Sequence, residues 1–386
     1  MHMPPCTNPR SRAEPQAERA EDLPTSCRVL SPTEFETLRL QWNTLVFAAA
    51  RPNPFLTWEW LQAWLETSSG TEPAPWLLTV WRGDELVGAA PLCRERRSVR
   101  FLAVRELDAD YADLLALPGC EEAVVEAVTR ALLGSDGWTR LILEGFSVGA
   151  LVERLAQRLA GSASCQRIAC DVCPVLELAA GWPELLKRRF DGKRRYNVQR
   201  DMRVASERHA LTIRAVKAID EVSEAMDTLF GLHRSRKTLQ QVRSRFAEGR
   251  NAKFHRRVAA RFQEAGWLAL DVVEQRDRPV AAQYGFRFGS RFWLYQTGLS
   301  PHGSAAGAGT FALASRILES ANDGLQEFDF LRGDEAYKRL WADRHTVLWT
   351  MLVFRAGFRG WVAQSLSNMR HALGRVLRQI RSWRAV

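Results

Sequence analysis

A repeat restricts the fold of this chain more than any other feature. WLLTVWRGDELVGAAPL begins at Trp76 and WLALDVVEQRDRPVAAQYGF at Trp267. Each reads as a short apolar strand, a charged turn and a second apolar strand opening on a small residue, the pattern of an antiparallel hairpin. Further on, each hairpin is followed by a helical stretch, a glycine and another strand: GWTRLILEGF at Gly137 and GLQEFDFLRG at Gly324. Landmarks recurring in the same order with similar spacing mean a duplicated unit. The expected fold is α/β (α+β): two related lobes, roughly 27–175 and 176–356, with mixed central sheets flanked by helices. The length of 386 residues agrees with two domains.

Outside the lobes, residues 1–26 are rich in Pro, Glu, Arg and Ser and read as a disordered tail. They hold no apolar core of a secretory signal, and no apolar run approaches the roughly 20 residues that span a bilayer, so a cytoplasmic protein is expected. The seven cysteines are odd in number and scattered, which fits reduced thiols better than a disulfide framework. CQRIACDVC contains a CxxC pair, but no second knuckle follows. Cys165, Cys170 and Cys173 therefore read as strand residues and no metal is expected.

The net charge of +10 is local. KRRFDGKRRYNVQRDMR (187–203) has eight Lys or Arg against two Asp, and 357–386 has six Arg and no acid. The first segment reads either as a solvated helix face or as a contact for an anionic ligand. In the second, Leu366, Met369, Leu373, Val376, Leu377, Ile380 and Trp383 form an apolar stripe among arginines. That is a basic amphipathic helix, suited to peripheral membrane contact through 361–384 or to packing on protein.

Within the lobes, Phe35, Leu38, Trp42 and Leu45 recur at helical spacing over Pro32–Ala50. Thr57 is placed to cap the helix that begins in TWEW, whose tryptophans read as core. In the second half, helices are expected from Ile219 to about Arg245 and over Lys253–Ala265.

The two lobes differ after the strand that follows each hairpin. RFWLYQTGL runs into SPHGSAAGAGT, a glycine-rich loop opening a helix with Phe311, Leu313, Ile317 and Leu318 as its buried face. Ser304, Gly307, Gly309 and Thr310 would expose backbone N–H groups at the positive end of that helix, an arrangement that suits a phosphate. The first lobe has DADYADLLALPGCEEA instead, whose carboxylates would repel phosphate. A phosphorylated cofactor belongs on the second lobe. Asp110, Tyr111 and Asp113 then face a polar acceptor, or form a solvated loop.

Hairpin, strand, small-residue loop, helix and strand resemble the acyl-CoA core of the GNAT superfamily, although Ser304 stands where that loop pattern has Arg or Gln. The set RPNPFLTWEW, LVGAAPL, DYADLL, RPVAAQYGF and FDFLRGDEAYKRLW resembles the two-lobed acetyltransferase family associated with cellulose and other exopolysaccharide biosynthesis, over about 30–355. That family is related in fold to Fem-type aminoacyltransferases. The resemblance implies acyl transfer from acetyl-CoA or another acyl-CoA to an amine or hydroxyl and does not name the acceptor; a small-molecule or saccharide/amine acceptor and no specific nucleic acid are expected. It also implies a splayed strand whose Gln296 and Thr297 offer backbone donors to the thioester, and Tyr337 as the acid for the thiolate.

DFLRGDEAYKRLW supplies the remaining candidates. Asp329 faces opposite to Phe328 and Phe330, which makes it either a buried, partnered carboxylate or a cleft residue. Asp334 and Glu335 are a base or a helix cap. Lys338 meets an anionic substrate or only solvates its helix. Two rival functions stay open: a Fem-like transferase using aminoacyl-tRNA, and a non-catalytic module of a polymer-synthesis complex.

Overall fold

The computed structural model describes residues 24–68, 73–104, 109–178, 181–239, 249–357, 360, 362, 364 and 365. The tail through residue 23 and the apolar stripe from Leu366 lie outside them. Thr25 and Ser26, counted above with the tail, already belong to a strand.

The strands are β1 Thr25–Leu30, β2 Ala74–Arg82, β3 Glu85–Glu95, β4 Ser98–Phe101, β5 Leu115–Ala116, β6 Arg140–Ser147, β7 Ala163–Glu177, β8 Leu211–Ala215, β9 Leu268–Gln275, β10 Arg278–Phe288, β11 Arg291–Leu299, β12 Glu327–Asp329 and β13 Arg344–Arg355. The architecture is mixed α/β, and both hairpins form where the repeat placed them, as β2–β3 and β9–β10. The second turns on Arg276 and Asp277, both at positive φ, the geometry that matches the twist of a two-residue hairpin.

The two expected sheets are one. The strand order is β1-β2-β3-β4-β6-β13-β7-β12-β11-β10-β9-β8, with β5 on β3. β7 leaves the first lobe to pair with β12, while β13 returns from the second lobe to pair with β6, and the two strands pair with each other over most of their length. The boundary drawn at 175/176 therefore falls inside β7. The lobes are joined by exchanged strands rather than by a linker.

Helices follow the sequence with local changes. Pro32–Ala50 divides into Pro32–Glu36, opened by a Ser31–Glu34 capping box, and Arg39–Ala48. Thr57 caps Trp58–Thr67 by accepting from the Trp60 N–H. Trp42, Trp60 and Trp64 are buried. The other expected helices form as Glu221–Leu239 and Arg250–Glu264. Phe55 and Trp60 of the first lobe pack edge-on against Trp293 and Phe254 of the second, so one apolar core runs across the junction. Cys173 is buried on β7 and Cys170 exposed.

Candidate active site

β11 and β12 build the fork at which the donor is expected. They pair in parallel over only Arg291–Glu327, Phe292–Phe328 and Trp293–Asp329. β12 then ends, while β11 continues along β10 to Leu299, with Tyr295 bulged opposite Tyr284 and Gly285. Among the described residues the edge of β11 beyond Trp293 has no strand partner, and its backbone groups need another one. The first lobe repeats this fork: β4 and β6 also pair over three residues, Ser98–Arg140 to Arg100–Ile142. Gln296 and Thr297 lie on the free stretch, and the Thr297 N–H already donates to Gln296 Oε1 at 3.0 Å.

The expected loop is more ordered than a glycine-rich coil. Ser300 caps a single turn, Pro301–Ala305, by accepting from the Gly303 N–H at 3.0 Å. Gly307 (φ 75°) then reverses the chain in the left-handed region and opens the helix Ala308–Asn322. The N–H groups of Ser304 and Gly307 are used by Ser300 O and Ser304 O. Those of Ala308, Gly309 and Thr310 begin the helix, ahead of any acceptor one turn back. A Cβ on Gly309 would come within 3.3 Å of Leu299 Cδ2, so glycine lets this helix end sit close on β11. Three N–H groups, the helix dipole and no acidic residue in the first turn fit the phosphates of a nucleotide-bearing thioester.

The acidic loop of the first lobe meets the polar cluster of the second. Tyr111 Oη donates to Asp329 Oδ2 at 2.6 Å, and Asp329 Oδ1 accepts from the Leu331 N–H at 2.8 Å. Asp110, also buried, accepts from Arg332 Nε at 2.5 Å and from the Arg332 N–H at 3.0 Å. Asn53 fixes the same loop from behind, donating to Tyr111 O at 2.7 Å while its Oδ1 caps the turn Pro54–Leu56. Tyr111 and Leu331 both hold positive φ, a backbone cost that surrounding contacts must outweigh. Burial pushes the Asp329 carboxyl up to about 6, partly offset by the Tyr111 bond. Burial first and the Asp329 charge second hold the Tyr111 phenol well above its ordinary value, so it remains a donor. Asp113 accepts from the N–H groups of Leu114, Leu151 and Val152, capping the helix Leu151–Leu159. Desolvation raises it to about 7 although one edge borders a cavity.

The other candidates separate by exposure. Asp334 and Glu335 are exposed; Glu335 stands at the N-cap position of the helix Ala336–Trp341 but its side chain makes no capping bond, and Asp334 pairs with Arg339 at 2.7 Å and Glu335 with Lys338 at 3.0 Å. Tyr337 is 39% exposed on that helix. Lys338, expected at a substrate or in solvent, is buried and donates to Arg332 O at 2.6 Å. It ties the helix to the junction. Sequence reasoning passed over Arg332 and Asn53. A buried carboxylate needs a cation, and an arginine in DFLRGDEAYKRLW opposite DADYAD was the available signal.

Residues 192–339, most of the second lobe, match the family model of the acetyltransferase (GNAT) domain. No curated protein matches the chain. Among solved structures, FemX superposes with a TM-score of 0.57 at 10% identity, over 86% of this chain and 97% of that one. The C-terminal domain of a protein described as a lysylphosphatidylglycerol synthetase, from Agrobacterium fabrum, gives 0.55 at 12% identity over 87% and 96%. Such identities speak for the fold alone, and the superposition spans both lobes. Family match and fold together support an acyl-transfer function. Among the described residues, none group as a metal site and no helix is long and apolar enough to cross a membrane.

Proposed function

We propose that this chain is an acyltransferase that takes an acyl group, acetyl in the simplest case, from acyl-CoA and passes it to an amine or hydroxyl. The observation carrying this reading is the fork at Trp293/Asp329 beside the free N–H groups of Ala308, Gly309 and Thr310. When bound, acyl-CoA supplies an activated thioester carbonyl. The backbone N–H groups of Ala308, Gly309 and Thr310, turned outward by Gly307, hold its phosphates, and the open edge of β11 orients the pantetheine and carbonyl.

Transfer forms a bond from the acceptor nitrogen or oxygen to the carbonyl carbon and breaks the carbon–sulfur bond. Tyr337 gives its phenol proton to the departing thiolate. Asp334 or Glu335, the carboxylates that solvent reaches at the exit of β12, takes the proton from the acceptor. Asp329 is buried and engaged by two donors, so in this reading it holds the lobes together. Positioning dominates: effective molarities reach on the order of 10⁵–10⁸ M, against roughly 10²–10⁴-fold from one general base. The resemblance to the exopolysaccharide family points to a saccharide as acceptor. Turnover of acetyl-CoA with a panel of amino sugars, sugars and simple amines tests the reading, and hydrolysis at background rate with every acceptor would refute it.

One observation favours a second donor class, an aminoacyl-tRNA. The basic segment 187–203 ends the helix Trp182–Arg189 and forms the helix Gly192–Arg203, which packs along Ala308–Asn322 with Arg194, Arg200 and Arg203 exposed. Steep loss of donor affinity with salt would support that class; a salt-insensitive affinity would exclude it.

A further inference from the structure

A cavity of about 330 Å³ lies in the first lobe, between Ala48–Arg51, the loop 111–116 and the turn 147–151. Its inner wall is Tyr111 and Trp293, whose rings meet edge-on at 5.5 Å. Trp293 is the last residue of β11 paired to β12, so the cavity ends at the fork where the thioester carbonyl is placed above. Volumes of this order hold small ligands.

The ionic balance of the wall is uneven. Arg291 is committed to Glu327 at 2.6 Å, and Asp113 spends its oxygens on three backbone N–H groups. Arg51 donates to Ser147 Oγ at 3.1 Å, and among the described residues neither Arg51 nor Arg154 has a carboxylate partner. Glu121 is the remaining acid. Two uncommitted guanidinium groups against one carboxylate leave the cavity positive. Because Asp113 already caps Leu151–Leu159, an anion here would be held by side chains rather than by that helix end. Arginine suits this role, since it grips carboxylate and phosphate oxygens with paired donors.

We infer that this cavity is the acceptor site and that the acceptor is a small molecule of about monosaccharide size carrying one anionic group, held by Arg51 and Arg154. Its reacting amine or hydroxyl points past Tyr111 toward Trp293. The inference rests on the acyl-transfer reading for the direction of the reacting group, not for the site itself.

The test is calorimetric titration of the full chain with glucose 1-phosphate, glucuronate and glucose, with acetyl-CoA in parallel. One of the two anionic sugars should bind and glucose should not; which one binds identifies phosphate or carboxylate as the anion. Arg51→Ala and Arg154→Ala should each weaken that sugar by about tenfold or more, the size of a lost charge-assisted bond, with unfolding temperature and acetyl-CoA affinity unchanged. Gly307→Val should keep sugar binding, which separates this site from the phosphate loop. Equal binding of glucose, no binding of either anion, or indifference to both arginine variants overturns the inference. Sugar binding without acetyl-CoA binding overturns the donor reading and leaves this site standing.

Discussion

Tyr111 of the first lobe and Asp329 of the second share a 2.6 Å hydrogen bond, fully inside the protein. Asp329 sits at the last rung of the β11–β12 ladder, and Tyr111 packs on the other member of that rung, Trp293. One bond therefore sets both the spacing of the lobes and the shape of the fork. Tyr111→Phe leaves a buried carboxylate oxygen without its donor and should cost about 1–3 kcal/mol. A double-mutant cycle with Asp329→Asn in chemical denaturation should show coupling of about 0.5–3 kcal/mol. Additive losses would mean that the bond does not bear on stability.

Asp110 and Arg332 form the second brace. Asp110→Ala removes the carboxylate from Arg332, which is one-third exposed and keeps its bond to Ala109 O, so the loss should fall below the roughly 3–5 kcal/mol of a fully buried pair. Asp110→Asn keeps an acceptor for the Arg332 N–H and should lose less. Thermal unfolding of the two variants checks the order.

Stability should depend on pH through Asp329. Its folded value near 6 lies above the ordinary 3.8, so between these pH values the folded state holds a proton that the unfolded chain has released. Stability therefore falls as pH rises through that window, by on the order of 2–3 kcal/mol in total, at about 1.4 kcal/mol per unit. Asp113, raised toward 7, extends the fall upward. Denaturation midpoints between pH 4 and 8 should slope down in the wild type and flatten in Asp329→Asn. An unchanged slope in that variant would remove Asp329 from the cause.

Gly307 and Asp334 should behave differently. Gly307→Val forces a β-branched residue into a left-handed conformation at the helix entrance and should abolish donor binding. Asp334→Asn weakens exposed contacts with Arg339 and, at 3.9 Å, His345, worth about 0–1 kcal/mol. It should keep stability and donor affinity while lowering turnover. Equal donor affinity in both variants would break this division of roles.

Local features were legible in the sequence. Strands, hairpin turns and the glycine at the entrance of Ala308–Asn322 depend on neighbouring residues, and even the extra turn Pro301–Ala305 carries its signal, a capping Ser300 followed by Pro301. The exchange of β7 and β13 was not legible, because pairing between strands distant in sequence leaves no local trace, and so the boundary fell inside β7. The acidic loop was harder for the same reason. DADYAD has the composition of a surface loop, and only the fold shows Arg332 and Asp329 arriving opposite it. Lys338 has a helix-surface pattern but is drawn inward by the carbonyl oxygen of Arg332.

Calorimetric titration of acetyl-CoA into the full chain and into Gly307→Val tests the donor site most directly. Saturable binding to the wild type that disappears in a folded Gly307→Val protein is expected. No heat with acetyl-CoA or a longer acyl-CoA up to millimolar concentration, or equal binding to both proteins, would contradict a donor site at the β11–β12 fork.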